Sequence, residues 1–256
     1  MFYYLFYKRY TGNKIDSEYA RYADAFYYAF SKLTPNISDG ELIVGGTKNN
    51  LVGSAKEDWE NVYKAIALER SALAGGGQDS HMAIDYELLL SCGVNGIVDT
   101  IDRYMMDSTS DRREFYTAAK TCLLAIVQHS ENYAALAESL ATNETDKMRK
   151  EELIEIARLC KNVPANPAKS FYEAVQSVHF VTYCLSVNPF RLCYQQFQLG
   201  HPDRYLLPYY KNDMEEGFED GYYFYVLSNN EDGTTNLIME RNICEDGTLA
   251  TAENMC

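Results

Sequence analysis

Pro164 and Pro167 fix the architecture of this chain more tightly than any other pair of residues. Each holds the residue before it in extended geometry and supplies no amide donor, so the helical pattern ending near Leu159 cannot continue into the next one. Residues 160–170 therefore read as a stiff polar bridge between two helices. On the near side, residues 146–159 turn Leu153, Ile156 and Leu159 inward. On the far side, residues 169–186 carry Phe171, Val175, Val178, Val181, Thr182 and Leu185 and leave little polar surface, which predicts a central helix.

The rest of the chain extends this helical reading. Residues 16–33 place Tyr19, Tyr22, Ala23, Phe26, Tyr27 and Phe30 at the three-and-four spacing of one helix face. A turn over 36–40 leads to a short apolar run over 41–46, expected to be a strand. A helical pattern over 54–74 stops at the glycine triplet 75–77. Residues 84–90 and 94–106 read as two short helices divided at Cys92-Gly93. The longest regular stretch, 111–142, presents Phe115, Ala119, Cys122, Leu123, Ile126, Val127, Tyr133, Leu136 and Leu140 on one broad apolar face. Residues 206–216 read as helix, and 222–227, 229–233 and 234–239 as strand, turn and strand. The fold class expected is mostly α with a few short β strands, an α+β chain in one domain, with a helical layer over 16–216 and a divergent tail over 217–256.

Composition removes several function classes. A formal net charge of -14 leaves no concentrated cationic face for a nucleic-acid backbone or an anionic membrane. The densest basic cluster, Lys147-Met-Arg-Lys150 beside Glu151 and Glu152, reads as a helix surface laced with salt bridges. The 7 cysteines are odd in number and irregularly spaced with no secretory leader, which fits a reducing cytoplasm better than a disulfide framework. The apolar start, residues 1–7, is far shorter than the roughly 20 residues a bilayer requires. No Cys/His cluster has metal-ligand spacing, and phosphate-loop and nucleophile-elbow signatures are missing, so no metal site is expected.

Five segments, taken in order, resemble one family. They are Asn36-Ile-Ser-Asp-Gly-Glu-Leu-Ile-Val-Gly45; His81-Met-Ala-Ile-Asp-Tyr-Glu87 with Gly93-Val-Asn-Gly-Ile97; Arg113-Glu-Phe-Tyr-Thr-Ala118; the bridged block 157–180; and Gly200-His-Pro-Asp-Arg-Tyr-Leu-Leu-Pro-Tyr-Tyr210. They are similar to segments of the glycyl radical enzymes, the pyruvate formate-lyase-like family, where the last is written GRxDQYLYPYY. The resemblance implies an incomplete N-terminal portion of the glycyl radical enzyme α/β barrel fold, with the helices forming a layer beside the barrel. It also implies anaerobic radical chemistry on a small metabolite, as a lyase, dehydratase or acyltransferase. No bound cofactor is implied; the family's glycyl radical is installed by a separate iron–sulfur activating enzyme that uses S-adenosylmethionine.

Carried over residue by residue, the resemblance gives His81 and Asp203 as substrate-binding candidates. Asp79-Ser80 replaces the glycine usual before His81, and His201 stands where the family has arginine. The family's thiyl cysteine lies in a GCxE loop and its radical glycine near RVxGYS, and neither string occurs in these 256 residues. Cys244-Glu245 follows Ile243 rather than glycine, so no catalytic residue is assigned. Cys92, Cys122, Cys160, Cys184, Cys193 and Cys256 read as core or loop thiols, and His129 and His179 as satisfied histidines on apolar helix faces. Three readings stay open: part of a truncated or split radical enzyme that needs a complementary chain or a homodimer, a non-catalytic binding or regulatory module, and an acidic helical interaction domain of other ancestry.

Overall fold

The computed structural model describes residues 1–46, 58, 60, 61, 64, 82–188, 193–194, 197–215, 223–229 and 235–240. Seven helices are described from end to end: α1 Phe2–Gly12, α2 Glu18–Lys32, α3 Tyr86–Met106, α4 Ser110–Asn143, α5 Lys147–Asn162, α6 Phe171–Ser186 and α7 Pro202–Glu215. The glycine triplet 75–77, the turn residues 230–234 and most of the helix expected over 54–74 lie outside the described residues, though Asp58, Glu60, Asn61 and Lys64 are helical. Strands are short and pair in twos: β1 Met82–Ala83 with β4 Phe197–Gln198 in parallel, and β2 Val187–Asn188 with β3 Cys193–Tyr194 antiparallel. In the tail, β5 Tyr223–Asn229 pairs antiparallel with β6 Thr235–Glu240.

α4 is the spine, with α2 and α5 packed along it and α3 against its first half. Its buried face keeps the expected Ile126 and Tyr133 and departs from the expected one at its ends. Phe115 is 51% exposed and Leu140 38% exposed, whereas Ala118, Ala125, Ala134, Ala137 and Ala141 are buried with Ile126, His129, Ser130 and Tyr133. Helices lying on both sides of one spine can approach closely only over small side chains, so the alanines mark the contact, while Phe115 near one end packs edge-on against Tyr19 of α2 at 5.7 Å. α1 caps the α2 side through an aromatic cluster, with Phe2 against Phe30 at 4.7 Å and Phe6 against Tyr22 at 5.2 Å between ring centroids. Its rings recur at residues 2, 6 and 10, the i,i+4 spacing of one helix face.

Local signals agree with the ends of these helices. Ser17 accepts from the Ala20 amide, Asp85 from Leu88, Asp146 from Arg149 and Ser170 from Glu173, each satisfying an orphan donor of the first turn. On the first turns of α5, Lys147 pairs with Glu151 and Arg149 with Glu152, as the charge pattern predicts. Arg149 also donates to the Ser38 and Glu41 carbonyls, which pins the turn ahead of residues 41–46.

Residues 41–46 form no strand. They run as an extended ribbon over α6, and side chains take the place of a neighbouring strand. Tyr172 donates to Leu42 O at 2.7 Å, and Gln176 spans Val44, accepting from its amide at 2.9 Å and donating to its carbonyl at 2.8 Å. His179 Nε2 bonds Gly45 O at 2.9 Å, and Tyr133 Oη accepts from the Gly46 amide at 3.2 Å. An apolar run buried without these partners would strand its backbone groups, so the helix completes what a sheet would otherwise supply.

The bridge differs from its expected polar character as well, because Val163, Pro164, Ala165 and Ala168 are buried. Gly93 interrupts α3 with φ 65° and ψ 176°, which leaves the carbonyl before the break and the amides after it without helical partners. The bridge supplies them. Val94 donates to Pro164 O at 2.8 Å, Asn95 to Ala165 O at 2.9 Å, and Ala168 to Leu90 O at 3.0 Å. The Ser130 hydroxyl is shared between the Cys160 and Val163 carbonyls at 2.9 and 3.0 Å.

Candidate functional site

Two of the matched segments come together where β1 meets β4. Met82 pairs with Phe197 and Ala83 with Gln198, so the chain just after His81 lies beside the chain leading to residues 200–210. From β1 the chain enters α3, where Tyr86 is 2% exposed. Its hydroxyl lies 2.7 Å from Thr182 Oγ1 on α6, and its ring sits 5.2 Å from that of Tyr205 on α7. From β4 the chain turns at Gly200, whose φ of 66° suits a residue without a side chain, and starts α7. Tyr205 then donates back to Leu199 O at 2.9 Å. Asp213 accepts from the Phe171 amide at 2.8 Å and ties the far end of α7 to the start of α6.

Between α3 and α7 these contacts leave an open cleft of about 410 Å³. α3 lines it with Glu87, Leu90 and Ser91, and α7 with Arg204, Tyr205 and Tyr209, with His201 at the mouth of the helix. Leu90 is 1% exposed and gives the cleft an apolar floor, while Glu87 and Arg204 are exposed. Burial pushes the Tyr205 and Tyr209 hydroxyls up from the ordinary phenol value, so both stay protonated as donors near neutrality.

Neither residue singled out by sequence as a substrate-binding candidate is described on the cleft wall. His81 lies outside the described residues, one position before β1. Asp203 is exposed in the first turn of α7, one residue from Arg204 but not on the cleft wall. His201, the residue in place of the family's arginine, does line it. Sequence reasoning missed Glu87 and Arg204, although the first lies in the quoted Asp-Tyr-Glu and the second in the quoted 200–210 segment.

His129 and His179 divide. His179 is satisfied through Gly45 O, as expected. His129 is fully buried, and its two ring nitrogens lack a hydrogen bond among the described residues. It is walled by the rings of Phe30, Tyr133, Phe180 and Tyr183 at 5.0, 5.2, 5.7 and 6.1 Å. Burial pushes its pKa down to about 4, and the Phe30 carbonyl offsets part of this without meeting hydrogen-bond geometry. A neutral imidazole fits such a wall where an imidazolium would not.

Cys92, Cys122, Cys160 and Cys184 hold free thiols. Burial pushes Cys122 and Cys160 up to about 12 and raises Cys184 well above the ordinary thiol value, so these are core side chains rather than thiolate nucleophiles. Cys92 is raised by burial and by Asp85, and its Sγ donates to Leu88 O within its own helix. Cys193 is described only in its backbone, and Cys244 and Cys256 lie outside the described residues. Among the described residues, no group of three His, Cys, Asp or Glu side chains can hold a metal ion, and no helix is long and apolar enough to cross a membrane.

Comparison with known proteins joins these observations. The chain is 36% identical over 163 residues to isethionate sulfite-lyase of Bilophila wadsworthia, covering 61% of this chain and 19% of the relative. It is 28% identical over 208 residues to (2S)-3-sulfopropanediol dehydratase of Klebsiella oxytoca, covering 78% of this chain and 23% of the relative. The crystal structure of a glycyl radical enzyme from Archaeoglobus fulgidus superposes with a TM-score of 0.68 at 26% identity, covering 84% of this chain and 35% of the other. The chain thus spans about a fifth of these curated relatives and about a third of the solved structure. The helical architecture is a partial counterpart of the glycyl radical enzyme barrel fold. The model of the family described as pyruvate formate lyase-like matches residues 47–222, and with that match across the bridge, α3 and α7 the chain belongs to the pyruvate formate lyase-like family of glycyl radical enzymes.

Proposed function

We propose that this chain supplies the helical layer of a glycyl radical enzyme acting on a small metabolite, and that His81 and Asp203 contact the substrate. The observation carrying this reading is the parallel β1–β4 ladder, which aligns the chain following His81 with the chain preceding Asp203. An imidazole and a carboxylate are suited to orient a hydroxyl or carbonyl and to exchange a proton with it. The relatives' names point to a lyase or dehydratase reaction, breaking a carbon–sulfur or carbon–oxygen bond.

The strings that mark the family's thiyl cysteine and radical glycine do not occur in these 256 residues, which supports placing the radical elsewhere. Gly93 is pressed against the bridge, Gly45 against Phe180, and Gly40 and Gly200 make turns with positive φ. These four glycines have structural tasks, and no step is assigned to a glycyl radical here. In the proposal the thiyl cysteine and the radical glycine belong to chain beyond residues 1–256 or to a complementary chain, and activation comes from a separate iron–sulfur enzyme using S-adenosylmethionine. The setting proposed is the cytoplasm.

The test is anaerobic incubation of the 256-residue chain with an activating enzyme and S-adenosylmethionine, read by electron paramagnetic resonance. No glycyl doublet is expected, and a doublet on this chain alone overturns the proposal. A second reading, a non-catalytic binding or regulatory module, draws on the one buried core to which α1 through α6 all contribute. A single defined monomer or dimer on size exclusion, unchanged by any complementary chain, favours that module.

A further inference from the structure

Glu87 and Arg204 line one cleft from two different helices, yet neither makes an ion pair or a side-chain hydrogen bond among the described residues. The two helices touch through the rings of Tyr86 and Tyr205, and each also has an anchor of its own. α3 is clamped by the bridge at Gly93, and α7 is tied to α6 through Asp213. Their charges therefore stay separate instead of collapsing onto each other. We infer that the α3–α7 cleft binds a small zwitterion of the amino-acid class, its ammonium on Glu87 and its carboxylate on Arg204 beside His201.

Charge matching selects this class over simpler ions. A plain carboxylate satisfies Arg204 but faces Glu87, and a plain amine satisfies Glu87 but faces Arg204. A zwitterion meets both, and the guanidinium can grip its carboxylate with two parallel donors. Tyr205, Tyr209 and the buried Leu90 offer the apolar surface that the ligand's side chain needs. The volume of about 410 Å³ falls in the range of small-molecule sites. Within the segment that resembles GRxDQY, this chain has His201 for arginine and Arg204 for glutamine, so its guanidinium stands one turn further along the same face of α7. The site uses neither His81 nor Asp203, so it stands or falls apart from the radical proposal.

The test is calorimetric titration of the full 256-residue chain with L-leucine, with 4-methylpentanoate, which lacks the ammonium, and with 3-methylbutylamine, which lacks the carboxylate. Leucine should bind at least about tenfold tighter than either single-charge analogue. Glu87→Gln should lower leucine affinity to that of 4-methylpentanoate, and Arg204→Gln to that of 3-methylbutylamine. Both side chains are exposed, so neither variant should shift the melting curve. The inference is overturned if leucine shows no saturable binding at millimolar concentration, if either analogue binds as tightly as leucine, or if both variants keep the original affinity.

Discussion

The ribbon over residues 41–46 and the bridge over 163–170 solve one problem in opposite ways. Each is an irregular segment with buried backbone, and each must find partners for polar groups that a helix or sheet would have satisfied. The ribbon uses side chains, taking Tyr172, Gln176 and His179 from a single face of α6. The bridge uses main chain, meeting the orphan groups that Gly93 creates in α3. Side-chain partners can be deleted one at a time, whereas main-chain partners fail together when the approach of two backbones is blocked. Losses should therefore be graded in the ribbon and abrupt at the bridge.

The largest effect is expected at Gly93. A Cβ there would lie 2.4 Å from the Asn166 carbonyl carbon and 2.6 Å from Ala165 O, at a φ that disfavours side chains. Gly93→Ala should cost about 4 kcal/mol and break all three bridge hydrogen bonds at once, read as a fall in the urea midpoint. Next is acid, which attacks the ribbon side. The folded pKa of His129 is about 4 against about 6.5 in the unfolded chain, so the unfolded chain binds more protons between these values. Stability is fully present above pH 6.5 and should fall by about 3 kcal/mol as pH drops toward 4. His129→Leu should flatten that limb in a stability–pH series.

Gln176→Leu should cost about 2–3 kcal/mol, because both polar groups of Val44 are left buried and unpaired. Its hydrogen-exchange signature should be confined to residues near the ribbon, and exchange rising equally in the bridge would erase the contrast between the two segments. Ser130→Ala removes one shared hydroxyl from the bridge and should cost about 1–2 kcal/mol. Smallest is Tyr172→Phe, which removes only the bond to Leu42 O and should cost about 1 kcal/mol in the same denaturation assay.

The contrast also explains what could be read from sequence. Proline and glycine act on their own backbone, so the bridge at Pro164 and Pro167 and the break in α3 at Gly93 were visible locally. Their mutual docking was not, since nothing near either one names the other. Residues 41–46 looked like a strand because an apolar run states burial, not the identity of its partner. Tyr172 and Gln176 passed as ordinary positions of a central helix for the same reason. In α4 the apolar spacing finds the buried Ile126 and Tyr133, but it also takes in the exposed Phe115 and Leu140 and passes over alanines that packing on both sides selects. At the cleft, the 200–210 segment was recognised, but the pairing of Glu87 with Arg204 across it depends on how α3 and α7 meet in space.

The ribbon's bonds to α6 also impose a timetable. Val44 and Gln176 are 132 positions apart, so at roughly 5–20 residues per second the ribosome needs about 7–26 s between making the first and the second. During that interval the nascent chain carries an apolar extended segment whose partners do not yet exist. α1 and α2 can already close their aromatic contacts by then, which leaves the ribbon as the part of the newborn chain that a chaperone has most reason to hold.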